Sequence, residues 1–104
     1  MLPSQTPEAR TAALQKAAEA RQARARVKHR LKFGGASITE ILMQGRGDDA
    51  IGRMKVTALL ESMPGVGKIK ARSIMDELGI ADNRRIRGLG VQQMRAIANY
   101  FEGA

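Results

Sequence analysis

The sequence has no cysteine and no tryptophan. The lack of thiols excludes disulfides and thiolate metal sites alike. The single histidine, His29, stands among arginines and lysines, so no metal cluster is expected and it reads as a solvated helix position. Phe33, Tyr100 and Phe101 are the only aromatics, which argues against base stacking as the main mode of any nucleic-acid binding. No apolar run approaches the ~20 residues needed to span a bilayer. The alanine-rich, basic N-terminus lacks the apolar core of a secretion signal. A cytoplasmic protein is the expectation, with no membrane partner. Neither a nucleophile–base pair nor a carboxylate dyad is evident, so no enzyme activity, small-molecule substrate or cofactor is expected.

Positive charge is what the chain does have. Eighteen Lys and Arg against ten Asp and Glu give a net charge of +8, which favours a polyanionic partner. With 104 residues it makes one small domain with a thin core. The charge is uneven: residues 1–35 carry +6, residues 36–83 carry −1 and residues 84–104 carry +3. This divides the chain into a basic helical arm (1–35) and a core (36–104).

Residues 1–6 read as an irregular start, and Thr6-Pro7 fits an N-cap followed by proline at the first helical position. From Glu8 to Lys32 the residues are nearly all Ala, Arg, Lys, Gln and Glu, good helix formers, and Gly34-Gly35 stops the helix. Its larger apolar groups are only Leu14, Val27 and Leu31, so docking through the C-terminal end is expected. Arg21, Arg24, Lys28 and Lys32 form one basic stripe at helical spacing, either a solvated face or a DNA contact.

Ser37-Ile38-Thr39-Glu40 matches a capping box, predicting a short helix over 38–43 that buries Ile38, Ile41 and Leu42. An aspartate of the Gly45–Asp49 loop is set to cap a further turn near Ile51. The next helix is expected over 55–62, with Val56, Leu59 and Leu60 inward.

Two helical patterns then meet at Pro64-Gly65-Val66-Gly67. Pro64 pushes Met63 out of helical geometry and ends the first helix. Gly65 and Gly67 can take positive φ and leave no side chain in the way of whatever approaches the backbone, and Val66 is expected to pin the corner to the core. The second helix starts at once, so its unpaired amides and positive dipole end face outward, an arrangement that binds phosphate. Lys68 and Lys70 add charge there. Ala71, Ile74, Met75 and Leu78 give this helix its buried stripe, an Arg72–Asp76 pair is expected on its surface, and Gly79-Ile80 fits a Schellman ending.

The pattern repeats at an offset of 23 residues. Gly65 and Gly67 recur as Gly88 and Gly90, and the apolar stripe recurs as Met94, Ile97, Ala98 and Phe101 on a final helix over 91–101. This is either a degenerate second phosphate hairpin or two helices capped alike. Arg84, Arg85 and Arg87 precede it with no acidic residue obviously available to them, and read as a phosphate-contacting cluster.

The hairpin resembles the helix–hairpin–helix motif. Over nearly its whole length the chain resembles the actinobacterial integration host factors, through the Leu31–Gly35 break, Gly52–Val56, Leu59-Leu60, Pro64–Ala71 and Arg84–Gly90. That resemblance implies an all-α fold: a long basic N-terminal helix and a small bundle of short helices holding a helix–two-turn–helix motif. It implies a monomeric, nucleoid-associated protein that binds double-stranded DNA with little sequence preference and alters its shape. It carries the DNA-binding role to Pro64, Gly65, Val66, Gly67, Lys68, Lys70, Arg84, Arg85 and Arg87, and implies a second contact through the N-terminal helix, where the stripe of Arg21, Arg24, Lys28 and Lys32 is the candidate; Gly88 and Gly90 join the expected site through the internal repeat. Two other protein types use a similar hairpin. One is an rRNA-binding small-subunit ribosomal protein, whose basic tail follows the hairpin rather than preceding it. The other is the base-excision glycosylases, whose catalytic lysine falls where this chain has Ile69.

Overall fold

Thr6 begins the ordered architecture by accepting a hydrogen bond from the Ala9 amide at 3.0 Å. The computed structural model describes residues 6–103, so the irregular start expected over 1–6 lies, except for Thr6, outside the described residues. Helix α1 (Pro7–Lys32) ends where the Phe33 amide donates to the His29 carbonyl (3.0 Å) and the Gly35 amide to Arg30 (2.7 Å). Gly34, at φ 81°, turns the chain between them. Only Val27 and Leu31 of α1 are buried, so the helix is held by its last turns, as expected, against α3. The long dimension of the molecule, 50 Å against 30 and 25 Å, follows from this overhang.

Helix α2 (Ile38–Gln44) is capped by Ser37, whose hydroxyl accepts from the Glu40 amide at 3.2 Å. Only half of the expected capping box forms. The Glu40 carboxylate instead faces Arg30 across 3.9 Å. The short α3 (Asp49–Gly52) starts on Asp48, which accepts from the Ile51 amide at 3.3 Å. Two glycines here are demanded by close approach. A Cβ at Gly45 would lie 2.5 Å from Ile86 Cγ2, and one at Gly52 only 2.7 Å from the Gly45 carbonyl oxygen.

Helices α4 (Val56–Glu61) and α5 (Lys68–Leu78) bury Val56, Leu59, Leu60, Ala71, Ile74 and Met75, while Leu78 is half-buried. The Schellman ending of α5 is present, with Ile80 N–H donating to Met75 (2.8 Å) and Gly79 N–H to Asp76 (3.2 Å). A single 3₁₀ turn (Ile86–Gly88) leads to α6 (Val91–Glu102). Only Ile97 of the expected α6 stripe is fully buried; Met94, Ala98 and Phe101 are half-buried because α6 lies at the rim, against α2 and α5. Glu102 clamps the start of α2, accepting from the Thr39 hydroxyl (2.8 Å) and amide (3.3 Å). Tyr100 stands edge-on to Phe101, ring centroids 5.0 Å apart.

The resulting fold is all-α, a long helix on a bundle of short ones. Its fully buried side chains are all aliphatic or methionine, and no polar side chain is buried among the described residues. Helices of four to twelve residues do not persist alone in water. Each buried Leu or Ile contributes about 1.5–3 kcal/mol, and that shared burial holds the short elements together.

Candidate nucleic-acid interface

The corner between α4 and α5 is built by one left-handed residue and one extended one. Gly65 has φ 77° and Gly67 has φ −92°, ψ −172°. Only the first therefore needs glycine for its torsion; Gly67 does not use the positive φ open to it. Gly67 is instead the N-cap of α5, and no side chain bonds there. The first intrahelical bond is Ala71 N–H to the Gly67 carbonyl at 2.9 Å, so the amides of Lys68, Ile69 and Lys70 are left without helical partners. Val66 is 8% exposed and anchors the corner, while Pro64, Gly65, Gly67, Lys68 and Lys70 are exposed. Bare amides, a positive helix end and two ammonium groups thus share one outward-facing turn.

The arginine cluster is positioned by a contact far apart in sequence. Lys55 and Arg85 form an isolated antiparallel bridge. Val56 N–H donates to the Arg84 carbonyl and Ile86 N–H to the Met54 carbonyl, both at 2.9 Å. Met54, Val56 and Ile86 are buried, so Arg53, Lys55, Arg85 and Arg87, which alternate with them, are presented outward.

None of the three clustered arginines extends freely. Arg84 donates to the Gly88 carbonyl (3.1 Å), Arg85 to the Arg53 carbonyl (2.6 Å), and Arg87 pairs with Asp49 (3.4 Å). The last corrects the reading that the cluster has no acidic partner: Asp49 reaches it through the fold, and pairs with Arg53 at 3.2 Å as well. All these groups are exposed, so the contacts orient side chains more than they stabilise the fold.

Three adjoining clefts join these parts. A hollow of about 740 Å³ beside α5 contains Lys55, Lys68, Ile69 and Arg72, with Glu61, Asp76 and Asp82 on its acidic side. A second, about 300 Å³, is lined by Arg24, Lys28, Arg53, Lys55 and Arg85 over Met54 and Ala58, with no acidic residue. A third, about 410 Å³, holds Arg84, Arg85, Arg87 and Gly88. Lys55 belongs to the first two and Arg85 to the last two, so the bridged pair makes the surface continuous.

The stripe on α1 divides. Arg24 and Lys28 reach the basic cleft, and Arg21 lines a groove between α1 and α3 that also contains Asp49 and Arg53. Lys32 lies instead 5.9 Å above the Phe33 ring. The expected Arg72–Asp76 ion pair does not form; those found among the described residues are Arg30–Glu40, Arg53–Asp49 and Arg87–Asp49. Gly88 and Gly90 are exposed beside the arginines, but Gly88 lies in the 3₁₀ turn without positive φ. The Gly90 amide is occupied by Gln93 Oε1 at 3.1 Å. The second glycine pair is thus no copy of the first.

Arg53 and Lys55 join this surface without belonging to the hairpin, the arginine cluster or the α1 stripe. Their signal was the alternation Arg53-Met54-Lys55-Val56, basic and apolar at a period of two, matched by Arg85-Ile86-Arg87.

Residues 31–101, from the end of α1 to the end of α6, match the family model for the S13-like H2TH domain, which defines the class. Two relatives resemble the chain across nearly its full length. The integration host factor of Streptomyces coelicolor is 57% identical over 100 residues, 96% of this chain and 94% of that protein. That of Mycobacterium tuberculosis is 53% identical over 103 residues, 99% of this chain and 98% of that one. The chain belongs to the integration host factor family. A solved structure of sIHF bound to an 8-base-pair palindromic DNA superimposes with a TM-score of 0.82 at 55% identity, covering 84% of this chain and 98% of that one.

Proposed function

We propose that this protein binds duplex DNA without sequence preference and shapes it, acting as a monomeric architectural component of the nucleoid in the cytoplasm. The carrying observation is the continuity of the cationic surface. It runs from Lys68 at the α4–α5 corner, where the bare amides and Lys70 are also exposed, through the Lys55–Arg85 bridge, to Arg84 and Arg87 on one side and Arg24 and Lys28 on the other. Pro64 to Gly67 bring the amides to the phosphate, and Gly88 and Gly90 keep the backbone low beside the arginines. Family membership and the DNA-bound relative support the reading.

The mechanism is grip by charge. Amides and ammonium groups hold one phosphate run, and the guanidinium groups extend the hold along the same strand or across a groove. Arg24 and Lys28 share a cleft with Lys55 and Arg85, so the arm and the core meet the same stretch of duplex. Simultaneous contact by the arm and the core is what would bend it. Arg21 and Lys32, on the same helix but outside that cleft, are assigned to a second, weaker contact. No reaction is assigned to the site, which has Ile69 where a glycosylase would carry lysine.

Titration of random-sequence duplexes against salt tests this. Neutralising about five phosphates predicts a log–log slope of roughly −4 to −5, equal on unrelated sequences. A flat salt response would remove the proposal. Competition by structured ribosomal RNA separates it from the RNA-binding reading that the shared hairpin allows, and shortening of end-to-end distance in labelled duplexes checks the bending.

A further inference from the structure

Ile69 is 89% exposed, more than any other large apolar side chain among the described residues. It sits in the first turn of α5 between Lys68 and Lys70, and its own amide is one of the three without a helical partner. Its side chain lines the hollow that also contains Lys55, Lys68 and Arg72, and adds nothing to the core. An isolated surface isoleucine is ordinary. One standing on the turn that offers bare amides to a phosphate is placed against whatever that phosphate is esterified to.

We infer that Ile69 reads the sugar, favouring deoxyribose over ribose; the inference rests on the phosphate grip proposed above. A phosphate seated on the amides of Lys68–Lys70 brings its flanking sugars within reach of that turn. In DNA the C2′ position is a methylene, which gains from contact with an aliphatic side chain. In RNA it is a hydroxyl, and an isoleucine laid over it removes water while offering no hydrogen bond in return. The 2′-hydroxyl is the group by which a protein distinguishes the two nucleic acids. The Coulombic grip of the lysines does not make this distinction, because both backbones carry the same phosphate charge. Ile69 is the exposed apolar side chain of the turn, and the cost of covering a hydroxyl falls on it.

The test compares duplex DNA and duplex RNA of matched sequence, at fixed salt, for the wild-type protein, Ile69→Ser and Ile69→Val. The ratio of RNA to DNA dissociation constants falls about fivefold or more in Ile69→Ser, which replaces an apolar cover with a hydroxyl partner. It is kept in Ile69→Val. Because the side chain is exposed, thermal melting of both variants stays at the wild-type value, and the salt slope on DNA is unchanged. A ratio in Ile69→Ser within about twofold of wild type overturns the inference while leaving the phosphate grip standing. Loss of salt-dependent DNA binding by the wild-type protein would instead remove the grip on which it rests.

Discussion

The molecule contains two Gly-x-Gly turns that open onto amphipathic helices, and only one has the makings of an anion site. At Gly65 and Gly67 the first glycine is left-handed, the second is an uncapped helix start, and lysines follow. At Gly88 and Gly90 the first glycine sits in a 3₁₀ turn, the second has its amide taken by Gln93, and Val91 replaces a lysine. Gly67 and Gly90 are alike in backbone, both extended N-caps. The difference therefore lies in which amides remain unclaimed and which charges stand beside them. Spacing alone does not make a phosphate site.

The sharpest way to break this contrast is charge reversal. Lys68→Glu with Lys70→Glu weakens duplex binding about 100-fold and reduces the salt slope by about two. The positionally equivalent Val91→Glu with Gln93→Glu costs about threefold or less, through long-range charge alone. Fluorescence anisotropy across a salt series measures both, and equal losses would mean the two turns contact DNA alike. A smaller effect is conformational. Gly65→Ala places a side chain at φ 77° and destabilises the fold by about 1–2 kcal/mol in urea melts. Gly88→Ala, whose new Cβ meets only the exposed Arg84 side chain (Cδ 3.2 Å, Nη1 3.5 Å), stays within about 0.5 kcal/mol of wild type. Similar losses at the two glycines would erase the backbone distinction.

The smallest effect sharpens the comparison from the arginine side. Asp49 engages both Arg53 and Arg87, so one carboxylate subdues two cations close to the second turn. Asp49→Asn raises duplex affinity about two- to fivefold, with little change in stability because the pairs are exposed. Unaltered affinity would place Arg53 and Arg87 off the DNA path.

What could be read in advance was local. Thr6, Ser37 and Asp48 cap helices begun within three residues of them, and the ending of α5 is written in Leu78-Gly79-Ile80. Such contacts need only the neighbouring chain, so residue type and spacing settle them. The cationic surface depends on separations no local rule covers. The Arg85–Arg53 bond spans 32 residues and the Arg87–Asp49 pair 38. The roles of Gly45 and Gly52 were hidden for the same reason, since the atoms that forbid a Cβ belong to Ile86 and Arg87 and, at Gly52, also to the Gly45 carbonyl. Which of Gly65 and Gly67 is left-handed is not legible in the residue type, because glycine permits that geometry without requiring it.

Tyr100, set edge-on to Phe101 on α6, is the sole intrinsic fluorophore of note in a chain without tryptophan. It lines none of the three clefts of the candidate interface. Its emission thus tracks the seating of the last helix from outside those clefts, and unfolding is observable, label-free, in the same cuvette as binding.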